Sequence, residues 1–135
     1  MNRKVRQYIE HEIRHYPSSK RELDDLYSEI IHSSPSGDGT GIRDSGTSDS
    51  TGSKAIRLTT NARLKRLEET VTAIETVLET VDEEKYRLIE LKYWKKPQTL
   101  TDTGISEELC VNRATMYRWI NGICYAIGKN LGLAE

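Results

Sequence analysis

The sequence predicts an all-α protein with an N-terminal helical hairpin, a flexible linker, a long central helix and a C-terminal helix-turn-helix. Three observations predict it. Apolar residues recur in steps of three and four through each periodic stretch, the spacing that lines one face of a helix. No alternating strand pattern survives a count. The periodic runs are bounded by Ser, Thr, Asn or Asp ahead of them and twice by Pro behind them, the residues that start and stop helices. The composition agrees: 135 residues with 36% hydrophobic and 30% charged side chains, no Phe and three Pro suit one modest helical core.

Residues 1–32 form the expected hairpin. Val5, Tyr8, Ile9, Ile13 and Tyr16 make the first apolar stripe, and Pro17 closes it. Ser19 and Glu22 have the S-x-x-E spacing of a capping box, in which each group bonds a free backbone N–H of the other's turn. Leu23, Leu26, Tyr27, Ile30 and Ile31 then carry a second helix, close enough behind the first to fold back on it.

Residues 33–53, SSPSGDGTGIRDSGTSDSTGS, are nearly devoid of apolar side chains apart from Ile42. Such a stretch cannot bury enough surface to offset its conformational entropy and is expected to be a flexible linker. Residues 54–135 form the remaining part, opening with a long helix. Leu64, Leu67, Val71, Ile74, Leu78 and Val81 alternate in steps of three and four, an a/d seam that serves either the chain's own core or an oligomer interface. Asp82, Glu83 and Glu84 supply a cap and negative charge for the next helix, whose apolar side is Tyr86, Ile89, Tyr93 and Trp94 and which Pro97 stops.

Residues 101–123, TDTGISEELCVNRATMYRWINGI, read as a helix-turn-helix. Thr101 caps a short helix with Ile105 and Leu109 inside, and Ser106 is small where two helices cross. Cys110 and Val111 make the turn, and Asn112 caps a second helix whose inner face is Met116, Trp119 or Ile120, and Ile123. Asn112, Arg113, Ala114, Thr115, Tyr117, Arg118 and Asn121 then form the candidate DNA-binding set. The chemistry fits: a capped helix N-terminus seats on phosphate, Arg grips guanine with two parallel bonds, and Ala or Thr presses on a thymine methyl. Just upstream, Lys92, Lys95 and Lys96 are placed to touch phosphates, which position a protein without reading sequence. Two positions depart from the usual pattern: Asp102 stands where an apolar residue is common, with Leu100 a candidate substitute, and Cys110 where glycine is usual.

Charge allows this reading. The net charge is −1, yet residues 85–131 hold eight Lys or Arg against four Asp or Glu, while residues 1–31 balance at six and six. Only the surface that meets DNA must be basic.

The chain resembles the RinA and ArpU type of phage late-gene transcriptional activators. The likeness rests on "YP" at Tyr16 and Pro17, a linker, a long helix and an end similar to region 4 of bacterial sigma factors. That last part matches through "LIELKYW", the Leu109, Val111 and Asn112 turn, and the helix from Arg113 to Leu131. The resemblance implies sequence-specific binding to double-stranded DNA upstream of a late promoter, switching on packaging and morphogenesis genes through host RNA polymerase. Two other readings stand beside it: a sigma-like factor that binds core polymerase itself, and a non-enzymatic structural interaction protein. One recognition helix covers few base pairs, so a homodimer or higher even-numbered assembly is expected.

Residues 11–15, HEIRH, match the H-E-x-x-H of zinc proteases. His11 and His15 nevertheless fall on a polar flank, away from Val5, Ile9, Ile13 and Tyr16, and His32 is the sole remaining histidine. The expectation is a coincidence of spacing, with no metal, no cofactor and no enzymatic activity. Cys110 and Cys124 lack ligand spacing and are expected to be reduced and structural. No apolar run reaches bilayer-spanning length and the polar start lacks a signal peptide's apolar region, so a cytoplasmic location without membrane contact is expected.

Overall fold

The computed structural model describes residues 2–32 and 46–134, with backbone alone at 32 and 46–60. Among these residues every regular element is helical: α1 (Arg3–His32), α2 (Gly46–Thr80), α3 (Glu83–Ile89) continuing as a π-helical turn (Glu90–Trp94), α4 (Asp102–Glu108) and α5 (Arg113–Asn130). The chain divides into two compact units, one of Met1–Pro17 with Thr70–Glu135 and one of Ser18–Glu69. No helix among the described residues is long and apolar enough to cross a membrane.

The expected N-terminal hairpin is not formed. Arg3–His32 is one helix with Pro17 inside it. Proline in a helix interior costs roughly 3 kcal/mol, because it lacks the N–H that would bond the carbonyl four residues back. For Pro17 that carbonyl belongs to Ile13, and the structure supplies another donor: the indole Nε1 of Trp94 donates to it at 2.8 Å. The Trp94 ring also stacks on Tyr16 at 5.6 Å between centroids and meets Tyr86 edge-on at 5.8 Å. The Tyr16 hydroxyl in turn donates to Glu75 of α2 at 2.6 Å. Pro17 therefore ends no helix here, since its defect is filled from α3's extension. Ser19 and Glu22, read as a capping box, lie mid-helix, and Glu22 instead pairs with Arg63 in the Ser18–Glu69 unit. In the same unit the Tyr27 hydroxyl bonds Glu68 and Leu23 is buried.

The linker expectation is corrected in part. α2 begins at Gly46, so residues 46–53 are helical, while residues 33–45 lie outside the described residues. Extending an existing helix by a residue is far easier than nucleating one, and a long helix behind a polar segment can propagate into it.

The a/d seam from Val71 onward is spent inside the chain. Val71 and Ile74 are 2% and 1% exposed within a single copy, and Leu78 and Val81 pack against the same core. Those side chains cannot also face a partner, so the seam is no oligomer interface along this half. Leu64 and Leu67 are half-buried. The rest of the core comes from Ile9 and Ile13 of α1, Leu88, Ile89 and Tyr93 from α3 and its π turn, and Ile105, Met116, Ile120 and Ile127 from the last two helices. Asn130 Nδ2 donates to the Ala73 carbonyl at 3.3 Å, tying the end of α5 to α2.

If Trp94 completes the hydrogen bonding that Pro17 interrupts, the two positions are coupled. Trp94→Phe should cost about 1–3 kcal/mol through the stranded Ile13 carbonyl alone, besides any packing loss. In a Pro17→Ala background the alanine N–H returns to Ile13, and the same change should cost about 1 kcal/mol less. Urea unfolding of the four variants measures this; strictly additive losses would refute the coupling.

Candidate nucleic-acid interface

The C-terminal helices α4 and α5 are joined by a short turn, with both expected caps in place. Thr101 Oγ1 accepts from the Gly104 N–H at 3.1 Å and Asn112 Oδ1 from the Thr115 N–H at 2.7 Å, so each helix starts where its sequence signal stands. Ile105 and Ser106 are buried on α4, and Met116, Ile120 and Ile123 on α5. Of the two inner-face candidates Trp119 and Ile120, Ile120 is the buried one and Trp119 is half-exposed. Leu100 is half-buried and packs against the core.

The turn between them is a Schellman motif. Val111 N–H donates to the Ser106 carbonyl at 3.0 Å and Cys110 N–H to the Glu107 carbonyl at 3.1 Å, the six-to-one and five-to-two bonds of that motif. The residue in the left-handed position is Cys110, with φ of 59°. The same motif ends α5, where the left-handed residue is Gly132. Cys110 thus takes the turn conformation that glycine adopts without a Cβ clash. Its thiol is exposed, whereas Cys124 is buried and burial pushes its thiol up to about 12.

The expected contact residues share one accessible face. Asn112, Arg113, Ala114, Arg118 and Asn121 are exposed, and Thr115 and Tyr117 are half-buried. The lysines separate. Lys95 and Lys96 are exposed, but Lys92 is only 16% exposed and its Nζ donates to Asp102 Oδ1 at 2.8 Å. The other Asp102 oxygen accepts from the Tyr117 hydroxyl at 2.8 Å, and that hydroxyl accepts from Arg113 at 3.2 Å. The Arg113 guanidinium also lies 5.7 Å from the Tyr117 ring centroid. A continuous hydrogen-bonded chain, with donors Lys92 and Arg113 at its ends and the acceptor Asp102 within it, therefore orients the first turns of α5. The Lys92 hydrogen bond, followed by that of Tyr117, holds the Asp102 carboxyl below its ordinary value of 3.8.

Asp102, noted in the sequence only as a departure, thus ties the start of α4 to Lys92 and, through Tyr117, to α5. Sequence reasoning also passed over Arg14. It lies on the rim of a cleft of about 560 Å³ that Lys92, Lys95, Lys96, Gln98 and Thr101 also line, and its guanidinium stands 5.4 Å from the Tyr93 ring centroid. Tyr93 and Trp94 are core groups, as expected: Tyr93 is 6% exposed, and its hydroxyl donates to Glu10 at 3.2 Å. Burial first, then nearby charges, raise the Tyr93 pKa, so it stays a neutral donor.

The two imidazoles of HEIRH stack on each other at 4.1 Å, and His15 Nδ1 donates to the His11 carbonyl at 2.8 Å. Both rings are exposed, as the polar-flank reading requires. Among the described residues no three His, Cys, Asp or Glu side chains are grouped to hold a metal ion.

The chain belongs to the DUF722 family, described as a protein of unknown function, whose family model covers residues 1–129. No curated protein and no solved structure matches it.

Two outcomes follow from this geometry. Cys110→Gly should raise stability by ~0.5–1 kcal/mol, the relief of a left-handed Cβ less the greater unfolded-state freedom of glycine; no gain in urea midpoint would contradict the turn as described. Asp102 has a depressed folded pKa, so its contribution is present above the unfolded carboxylate value and lost as pH falls through the folded one. The stability gap between wild type and Asp102→Asn should therefore be constant near neutrality and close below about pH 4, read by thermal melts across pH.

Proposed function

We propose that this chain is a sequence-specific DNA-binding transcriptional activator that places α5 in the major groove. The observation that carries the reading is the exposed first half of α5. Arg113, Ala114, Arg118 and Asn121 stand there on a capped helix whose other face is fixed in the core. A rigid, capped recognition helix with outward arginines is what base-edge readout requires, and the α4 start is where a helix-turn-helix crosses the phosphate backbone. Lys95 and Lys96 flank that start. The resemblance to phage late-gene activators supplies the biological side of the proposal: promoter DNA as ligand, host RNA polymerase as partner, and packaging and morphogenesis genes as targets. Pairing of two copies on adjacent half-sites would use a surface other than the Val71 and Ile74 stretch, which each copy buries for itself.

The test begins with selection of a preferred duplex from a random library, followed by anisotropy titration of that duplex and a scrambled one. Arg113→Ala and Arg118→Ala should each cost ~1–3 kcal/mol on the preferred duplex and relax sequence preference. Equal losses on both duplexes would reassign them to phosphate contact. Absence of any binding by the wild type at moderate salt would remove the DNA reading altogether.

A further inference from the structure

We propose that Arg14, from the first helix, is a phosphate-gripping residue that completes a backbone-binding cleft with Lys95 and Lys96. The inference rests on the DNA-binding reading and extends it to the N-terminal helix. The fold brings residue 14 to a cleft of about 560 Å³ whose other cations lie eighty residues further along the chain. Its position is fixed from both sides. The preceding residue, Ile13, is buried and its carbonyl is held by Trp94, while the guanidinium lies against the Tyr93 ring.

The charges in the cleft select a polyanion. Arg14, Lys95 and Lys96 are exposed cations. The one carboxylate on its wall, Asp102, is answered by Lys92 and by the Tyr117 hydroxyl. One turn before Arg14 on α1, Glu10 accepts from Tyr93 and from Arg6, while Glu12, which does not line the cleft, lies beside His11. Among the residues that line the cleft, the charge left unanswered is therefore positive. The cleft is flanked by exposed residues 95–99 and meets the recognition face at Asp102, which lines it and also bonds Tyr117. A phosphodiester strand passing the start of α4 beside a major groove occupied by α5 would run through this cleft, which favours a DNA backbone over a small enclosed anion.

The experiment measures anisotropy of the full chain with the selected and scrambled duplexes over a salt series. It compares wild type, Arg14→Gln, Arg14→Lys and a control of equal charge loss elsewhere on α1, Lys4→Gln. Arg14→Gln should weaken both duplexes alike by about three- to tenfold at low salt and reduce the salt slope by about one unit or less, with Arg14→Lys restoring most of it. Neutral methylphosphonate linkages placed singly along the duplex should include one that weakens wild type but barely affects Arg14→Gln. An Arg14→Gln effect no larger than that of Lys4→Gln, in a wild type that binds DNA, overturns the Arg14 assignment alone. A wild type that binds neither duplex overturns both readings. Saturable binding of inorganic phosphate at constant ionic strength, lost in Arg14→Gln while DNA affinity is unchanged, makes the cleft a small-anion site and overturns the proposal as well.

Discussion

A helix that continues through proline leaves one carbonyl without its donor, and in this protein the carbonyl of Ile13 receives the indole N–H of Trp94 instead. An unpaired buried carbonyl costs of the order of 1–3 kcal/mol, so the pairing ties the two segments together directionally, which apolar packing alone would not do. The rest of the Met1–Pro17 and Thr70–Glu135 unit follows from it. Tyr16 and Tyr86 close on the Trp94 ring, Glu75 takes the Tyr16 hydroxyl, and Ile9 and Ile13 reach a core shared with the last two helices.

The π turn at Glu90–Trp94 explains how a single segment serves both the core and the Asp102 contact. A π turn holds one more residue than an α turn and shifts the register of the side chains that follow. Here it lets Tyr93 and Trp94 both reach α1 while Lys92 points to Asp102. Gln98 then folds back, its Nε2 donating to the carbonyls of Leu91 and Lys92 at 2.9 and 3.1 Å, so the helix end is satisfied without a further turn. One short stretch thereby connects the proline-interrupted helix to Asp102 at the start of α4.

Much of this was legible from residue patterns, and the failures have identifiable causes. The caps at Asp82, Thr101 and Asn112 were readable because each is a local side chain bonding a backbone N–H a few positions on. The inner and outer faces of α5 were readable because helical period and burial agree there. Pro17 misled because its donor lies eighty residues away, a tertiary compensation that local rules cannot contain. The seam at Val71 and Ile74 was ambiguous because an a/d stripe looks the same whether it meets another copy or its own chain. HEIRH drew attention to its histidines, whereas the residue that the fold sets against the basic cleft is the arginine between them.

A carboxylate among exposed cations is ordinarily a competing charge, and Asp102 shows how a fold converts one into a support. Its two oxygens accept from different elements, Lys92 on the π turn and Tyr117 on α5, so its charge is offset by one neighbour while its geometry constrains the other. The consequence is a division of labour among cations that sequence alone presents as equivalent. Lys92 is consumed in holding Asp102 and is largely withdrawn from solvent. Arg113 is oriented through the Tyr117 hydroxyl, which narrows the conformations open to its side chain. Lys95 and Lys96, by contrast, stay exposed, which under the DNA-binding proposal suits groups that follow a backbone and need not read a base.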